Sequence, residues 1–175
     1  MKIMIIGSAG SGKSTFATKL SAITKLPVYH LDAYYWRPSW VATPNEEWDL
    51  FMNNLVEEES WIIDGNYSRT LDIRIKEADV ILFFDLPPIL NTYRVIKRRI
   101  QYDGKTRPDM NEGCDEKLDW AFIKWVWNFR RNSKPVIEQK LAEYGREKKI
   151  IIFRKLSDSA KVLKEIEKNG IEGLL

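Results

Sequence analysis

The residues with the clearest chemical purpose stand close to the first methionine. Gly7-Ser8-Ala9-Gly10-Ser11-Gly12-Lys13-Ser14 fits the pattern G-x-x-x-x-G-K-[ST]. Glycines let such a loop curl until successive backbone N–H groups point inward, forming a concave cage for phosphate oxygens. A helix starting at its end adds the positive pole of its dipole. In this arrangement Lys13 reaches the outer phosphates of a nucleoside triphosphate, and the Ser14 hydroxyl faces Mg²⁺. The expected contacts to ATP run through Gly7, Ser8, Ala9, Gly10, Ser11, Gly12, Lys13, Ser14 and Thr15.

Phosphoryl transfer also needs a carboxylate near the metal, groups that hold the acceptor, and cations on the transferred phosphate. Asp32, Asp64 and Asp85 each end or directly follow a short apolar run. In open α/β sheets the carboxyl ends of strands line the ligand crevice. Asp32 and Asp64 are therefore candidate catalytic residues. Asp85, just before Leu86-Pro87-Pro88, reads equally well as structural. Arg94 and Arg98 lie four apart, on one face of a helix. Their planar forks suit a charge spread over several phosphate oxygens. Arg130, Arg131 and Lys134 form a second basic cluster. His30, the only histidine, sits in Val-Tyr-His-Leu and is expected to be a packed, hydrogen-bonded ring rather than a catalyst.

Short apolar runs alternate with amphipathic stretches, which predicts an α/β fold around a buried parallel sheet. Lys2–Ile6, Val28–Leu31, Trp61–Asp64, Val80–Asp85 and Lys149–Phe153 read as its five strands. Phe16, Leu20 and Ile23 mark a helix closed by Pro27. Thr43-Pro44-Asn45-Glu46 reads as a capping box opening a helix with Trp48, Phe51, Met52 and Leu55 inward. Pro88 opens a helix whose expected core face is Ile89, Tyr93, Ile96 and Ile100. Asp115 is expected to cap another, with Leu118, Phe122, Val126 and Phe129 inward. A further helix through Val136, Ile137, Leu141 and Tyr144 stops at Gly145, and Ser157 opens the last one. Between Gln101 and Gly113 the periodicity fades. Long excursions of this kind in compact domains are usually lids or disordered segments. Basic clusters on both sides suggest a lid over residues 100–117 that closes on triphosphate and excludes water, with Arg130 coming down from above.

The chain has 175 residues, 44% hydrophobic and 30% charged, which fits one globular domain over 1–175 and excludes a disordered or fibrous class. No apolar run could span a bilayer, and no signal-like core is visible. A single cysteine, Cys114, excludes an internal disulfide and a Cys-built zinc site. It is expected to be a packing residue, and a reducing, cytoplasmic setting follows. The net charge is +3, yet residues 94–107 alone hold six bases and one acid. That concentration motivates an alternative class, a nucleotide-dependent protein that contacts DNA through its phosphates. The seven tryptophans are expected mostly in the core or in pocket walls.

Several segments are similar to known proteins. Phe84-Asp85-Leu86-Pro87 followed by Arg94-x-x-x-Arg98-Arg99 resembles the strand, turn and pre-lid helix of adenylate kinases. Asp64-Gly65 before Arg69-Thr70 is similar to that family's Asp-Gly-Phe-Pro-Arg-Thr, with one extra residue and Asn66-Tyr67 in place of Phe-Pro. Over nearly the whole chain the closer resemblance is to adenylate-kinase-related DNA topology modulation (FlaR-like) proteins. It is carried by Leu31-Asp32, Trp36-Arg37-Pro38, Trp40, Ile63-Asp64-Gly65-Asn66-Tyr67, Thr106-Arg107-Pro108-Asp109-Met110, Glu112-Gly113-Cys114 and Lys124-Trp125-Val126-Trp127-Asn128-Phe129. The resemblance implies a P-loop kinase fold with an acceptor arm and a lid. It places Arg94 near adenine and phosphates, Arg98 on the transferred group, Arg69 on an acceptor phosphate, and Asp64 in the Mg²⁺ outer shell. Asp32 and Arg37 match the acceptor-side motif. The Thr-Gly-Asp acceptor motif and the four-cysteine zinc lid of some relatives are absent. The expectation is an ATP- and Mg²⁺-dependent kinase of a small acceptor, with nucleotides among the candidates.

Overall fold

The computed structural model describes residues 1–107, 109–115 and 119–174. Pro108 of the quoted motif and Leu118, expected to face inward, lie outside the described residues.

Branched apolar residues build the central strands, which have buried neighbours on both faces. β1 (Lys2–Gly7) is flanked by β5 (Trp61–Asp64) and β6 (Val80–Phe84), with β2 (Val28–His30) and β7 (Lys149–Phe153) outside them. All pair in parallel, in the order β2-β5-β1-β6-β7. The five expected strands are present, each to within a residue. The alternation of side chains divides the core in two. Ile3, Ile5, Ile62, Leu82 and Phe84 pack one face against Phe16 and Leu20 of α1 (Lys13–Thr24) and Ile166 of α8 (Leu156–Asn169). Met4, Ile6, Ile63 and Phe83 pack the other face against Trp48 and Met52 of α3 (Asn45–Glu57), Ile75 of α4 (Leu71–Glu77), Phe129 of α6 (Trp120–Asn132) and Ile137 of α7 (Lys134–Tyr144). The result is three layers, helix on sheet on helix. Among the described residues no helix is long and apolar enough to cross a membrane.

Four expectations change. The capping box does not form: Asn45 opens α3 behind Pro44, and the Thr43 hydroxyl donates to the Tyr35 carbonyl at 2.8 Å instead. Asp119, not Asp115, caps α6, accepting from the Ala121 N–H at 2.8 Å. Asp115 instead accepts from the Thr106 hydroxyl at 2.7 Å. The tryptophans divide: Trp48 and Trp61 are buried, whereas Trp120, Trp125 and Trp127 on α6 are exposed. The fourth change concerns α5 (Pro88–Gln101), whose supposed core face Ile89, Tyr93, Ile96 and Ile100 points outward. Its buried residues are Asn91 and Val95. The reason lies in the loop it packs against: a Cβ on Gly10 would sit 2.4 Å from the Asn91 carbonyl oxygen and 3.0 Å from Val95. The polar side of α5 is the side that meets the phosphate-binding motif.

The short helix α2 (Leu31–Tyr35) follows β2, and a two-stranded ribbon, β3 (Trp36–Arg37) with β4 (Val41–Ala42), forms an arm beyond it. The segment after α5 folds onto that arm. Ser39 N–H donates to the Gly113 carbonyl at 2.9 Å, and the Trp40 indole N–H donates to the Asp115 carbonyl at 2.9 Å. Cys114, buried, points its thiol at the Arg37 carbonyl at 3.2 Å. Gly113 has a φ of +80°, and a Cβ there would lie 3.1 Å from Pro38 Cβ, so a side chain would strain the backbone and crowd the arm.

Candidate functional site

The carboxyl ends of β1, β5 and β2 lie side by side, and each delivers one part of the site. β1 runs straight into the glycine loop. Gly7 has a φ of +141° and lies so close to Phe84 that a Cβ would be 2.4 Å from its carbonyl oxygen. Gly10 and Gly12 adopt positive φ as well, which turns the chain into the first turn of α1. The Lys13 ammonium donates to the Ser8 carbonyl at 3.2 Å, folded back over the loop it is expected to serve. The hydroxyls of Ser8 and Ser11 are buried with no hydrogen-bond partner among the described residues. Asn66 braces the loop from the side: it accepts from the Gly7 N–H at 2.9 Å and donates to the Gly7 carbonyl at 2.6 Å.

Asp64 ends β5 and is 4% exposed. One oxygen, Oδ2, accepts from His30 Nδ1 at 3.0 Å, and the other, Oδ1, is buried with no hydrogen-bond partner among the described residues. Burial alone would raise this carboxyl. The His30 hydrogen bond, the Lys13 charge and the Ser14 hydroxyl outweigh it and hold Asp64 below the usual carboxylate range. The other ring nitrogen of His30 lies 3.2 Å from Thr18 Oγ1, whose proton is directed at the Ser14 carbonyl at 3.0 Å. Both ring nitrogens therefore face acceptors, which favours the doubly protonated ring. Burial pulls His30 down, but its bond to Asp64 and the Asp64, Asp109 and Asp32 carboxylates raise it overall. Ser14 and the unpartnered oxygen of Asp64 form a hard-oxygen donor set of the kind Mg²⁺ takes when substrate phosphates supply further ligands. Among the described residues no cluster of three or more His, Cys, Asp or Glu could hold a metal without such a substrate.

The segment after Asp64 is held by a residue that sequence reading overlooks. Arg74 of α4 is fully buried and donates to the carbonyls of Gly65 (2.7 Å), Tyr67 (3.0 Å), Thr70 (3.3 Å) and Asn66. Burial pushes its guanidinium down to about 9, so it remains charged at neutral pH. An amphipathic helix gives no sign that one of its arginines turns inward. The turn it holds includes Gly65 at φ +147° and Tyr67 at φ +31°.

Asp32, in α2, accepts from the Tyr67 hydroxyl at 2.7 Å. Burial and the Asp32 charge push the phenol far up, so Tyr67 stays a donor. Tyr67 also packs on Tyr35 and Trp48, with ring centroids 4.7 and 5.0 Å apart. Tyr35, Asn45, Trp48, Tyr67, Ser68 and Arg69 line a cavity of about 160 Å³. Arg69 makes a two-pronged ion pair with Asp49, through Nε at 2.8 Å and Nη2 at 2.6 Å. Arg37 pairs with Glu47 at 2.5 Å. Both pairs are well exposed to solvent.

From the other side, α5 brings Arg94 to the glycine loop, where Nη1 donates to the Gly10 carbonyl at 3.2 Å and lies over Gly12. Arg98 follows one turn on, its side chain half-buried. Arg130 and Lys134 both grip Asp85, at 2.9 and 2.8 Å, and Arg130 also donates to the Asp85 carbonyl at 3.0 Å. Asp85 is 4% exposed and ties α6 and α7 to the end of β6. Within the basic stretch, Arg99 pairs with Asp103 and Arg107 with Asp109. Lys13, Ser14, Asp64, Arg94 and the loop amides thus share one site. Asp32 adjoins it through Tyr67, while Arg37 and Arg69 stand at the arm and pocket rim.

No family model matches the chain, and no curated protein matches it. Solved structures do. The YorR protein of Bacillus subtilis, in complex with phosphorylated GDP, superposes with a TM-score of 0.55 at 18% identity, covering 95% of this chain and 93% of its own. A sugar kinase from Janibacter sp. HTCC2649 gives 0.51 at 14% identity, covering 99% and 93%. The chain has the α/β fold of P-loop kinases, a five-stranded parallel sheet between two layers of helices.

Proposed function

We propose that this chain is an ATP-dependent, Mg²⁺-requiring kinase that transfers the γ-phosphoryl group to a small acceptor, of the nucleotide-kinase type. It would stand among adenylate-kinase-related small kinases, as the FlaR-like motifs suggest. The observation that carries the reading is the convergence, at the adjoining carboxyl ends of β1 and β5, of a glycine-kinked loop opening a helix, a buried carboxylate with one unpartnered oxygen, and an arginine from a facing helix.

The geometry supports the following roles. Inward N–H groups of residues 8–14 and the amino end of α1 bind the triphosphate. Lys13 leaves the Ser8 carbonyl for the outer phosphates. Ser14 and Asp64 would hold Mg²⁺, which would neutralise phosphate charge when bound. His30 fixes the Asp64 carboxylate through Oδ2 and so leaves Oδ1 directed away from the ring. Arg94 and Arg98 stabilise charge on the transferred group. Asp32 and Tyr67, with Arg37 and Arg69 at the rim, orient the acceptor near the aromatic cavity. The acceptor oxygen forms a bond to the γ-phosphorus as the bond to the β–γ bridging oxygen breaks, and ADP leaves. Residues 111–115, which meet the arm through hydrogen bonds, would exclude water from this crevice.

Calorimetric titration of ATP with Mg²⁺, followed by ADP release across a panel of nucleosides, monophosphates and sugars, tests the reading. Lys13→Ala should remove ATP-dependent phosphorylation while leaving the circular dichroism spectrum unchanged. Absence of any ATP binding by the wild-type chain would overturn the proposal.

A further inference from the structure

Four large apolar residues of α5 are turned to solvent: Ile89 is 70% exposed, Tyr93 61%, Ile96 39% and Ile100 74%. Their steps along the helix are four, three and four residues, the spacing of a coiled-coil seam. Tyr93, Ile96, Lys97, Ile100 and Gln101 line a groove of about 490 Å³ along this face. The opposite face carries Arg94 and packs Asn91 and Val95 onto the glycine loop, so the stripe is not needed to hold α5 in place.

We propose that this stripe is the interface for a second copy of this chain, with the two α5 helices packed antiparallel about a two-fold axis. The spacing is self-complementary in that sense. When Ile89 faces the second copy's Ile100, Tyr93 faces the second copy's Ile96, and the same contacts recur on the other side of the axis. Charge chooses the direction. The first six residues of the helix, Pro88–Tyr93, carry no charge, and the remainder holds Arg94, Lys97, Arg98 and Arg99. A parallel pair would set basic half against basic half. An antiparallel pair sets each basic half beside an uncharged one, with Lys97 opposite Thr92 and Arg99 opposite Leu90, and opposes the helix dipoles. The four side chains expose on the order of 500 Å² per copy, so covering both stripes buries about 1,000 Å² in total, the lower bound for a specific interface. Such a dimer lies back to back with the two phosphate-binding loops, and neither site is closed by it.

Sedimentation equilibrium of the full chain at 1–100 µM tests the proposal. A dimer is expected, with Ile100→Glu weakening association on the order of 100-fold or more, since each dimer loses two buried isoleucines and gains two buried carboxylates. Its melting curve at low concentration should match that of the wild-type chain. Cysteine variants test the direction. Under mild oxidation, Ile89→Cys and Ile100→Cys should cross-link when mixed, and neither should cross-link alone. A monomer throughout the range overturns the proposal. So do cross-links between identical positions, or a monomer that captures a different protein through this stripe.

Discussion

Replacing His30 by leucine removes the ring nitrogen that holds Asp64, with little change in volume. The carboxylate left behind is 4% exposed, with Oδ1 already without a hydrogen-bond partner and Oδ2 now without His30. Removing one member of a buried ion pair costs about 3–5 kcal/mol. Lys13 and Ser14 remain nearby and offset part of this, so a loss of about 2–3 kcal/mol in unfolding free energy is expected near pH 6. The gap should depend on pH with a definite sign. His30 titrates above its ordinary 6.5 in the folded protein, so its contribution is complete below 6.5 and fades as pH rises through the raised value. Asp64 titrates below its ordinary 3.8, so its contribution is complete above 3.8 and fades as pH falls through the lowered value. The wild-type advantage over His30→Leu should thus be largest between those two ordinary values. It should shrink toward pH 9, where the neutral ring still donates one hydrogen bond. His30→Gln keeps a donor without a titrating group, and its deficit should be smaller there and flatter. Urea unfolding followed by circular dichroism in divalent-free buffer from pH 4 to 9 measures all three proteins. An advantage that stays constant, or grows, between pH 6 and 9 would refute the reasoning.

Arg74→Met should destabilise the fold by about 3–5 kcal/mol, because four carbonyls of the turn after Asp64 lose a charged donor in a buried setting; a loss under 1 kcal/mol in urea unfolding would count against the staple. Arg74→Lys should recover only part of it, since an ammonium cannot fork toward carbonyls as guanidinium does. Gly10→Ala should lower stability by about 1–3 kcal/mol and weaken ATP binding, since its Cβ would meet the Asn91 carbonyl at 2.4 Å and its φ is +76°; calorimetry on the variant checks both. Asn66→Ala should weaken ATP affinity more than it lowers the melting temperature, because Asn66 closes a two-hydrogen-bond clasp on Gly7.

What could be read in advance follows the range of the interactions. The glycine loop and the five strands are written in residues next to one another, and they were legible. So was the helix at Pro88, but not which of its sides was inward. Periodicity separates an apolar stripe from a polar one and says nothing about where the rest of the chain stands. Here Gly10, 81 residues upstream of Asn91, decides it. The same distance hid the partners of His30, 34 residues from Asp64, and of Arg130, 45 from Asp85. Thr43 fits a local capping pattern, yet its hydroxyl reaches the Tyr35 carbonyl across a turn that the pattern ignores. Arg74 gave no signal at all, since a basic residue on a short helix ordinarily faces water.

The clasp between the arm and residues 113–115 has a practical consequence. Trp40 donates its indole N–H across that seam, and Trp36 lies edge-on to it at 5.6 Å. Separation of the two segments would strip a hydrogen bond from one fluorophore and alter the surroundings of both. The chain therefore carries an intrinsic optical gauge of opening, readable in a stopped-flow trace without any attached dye.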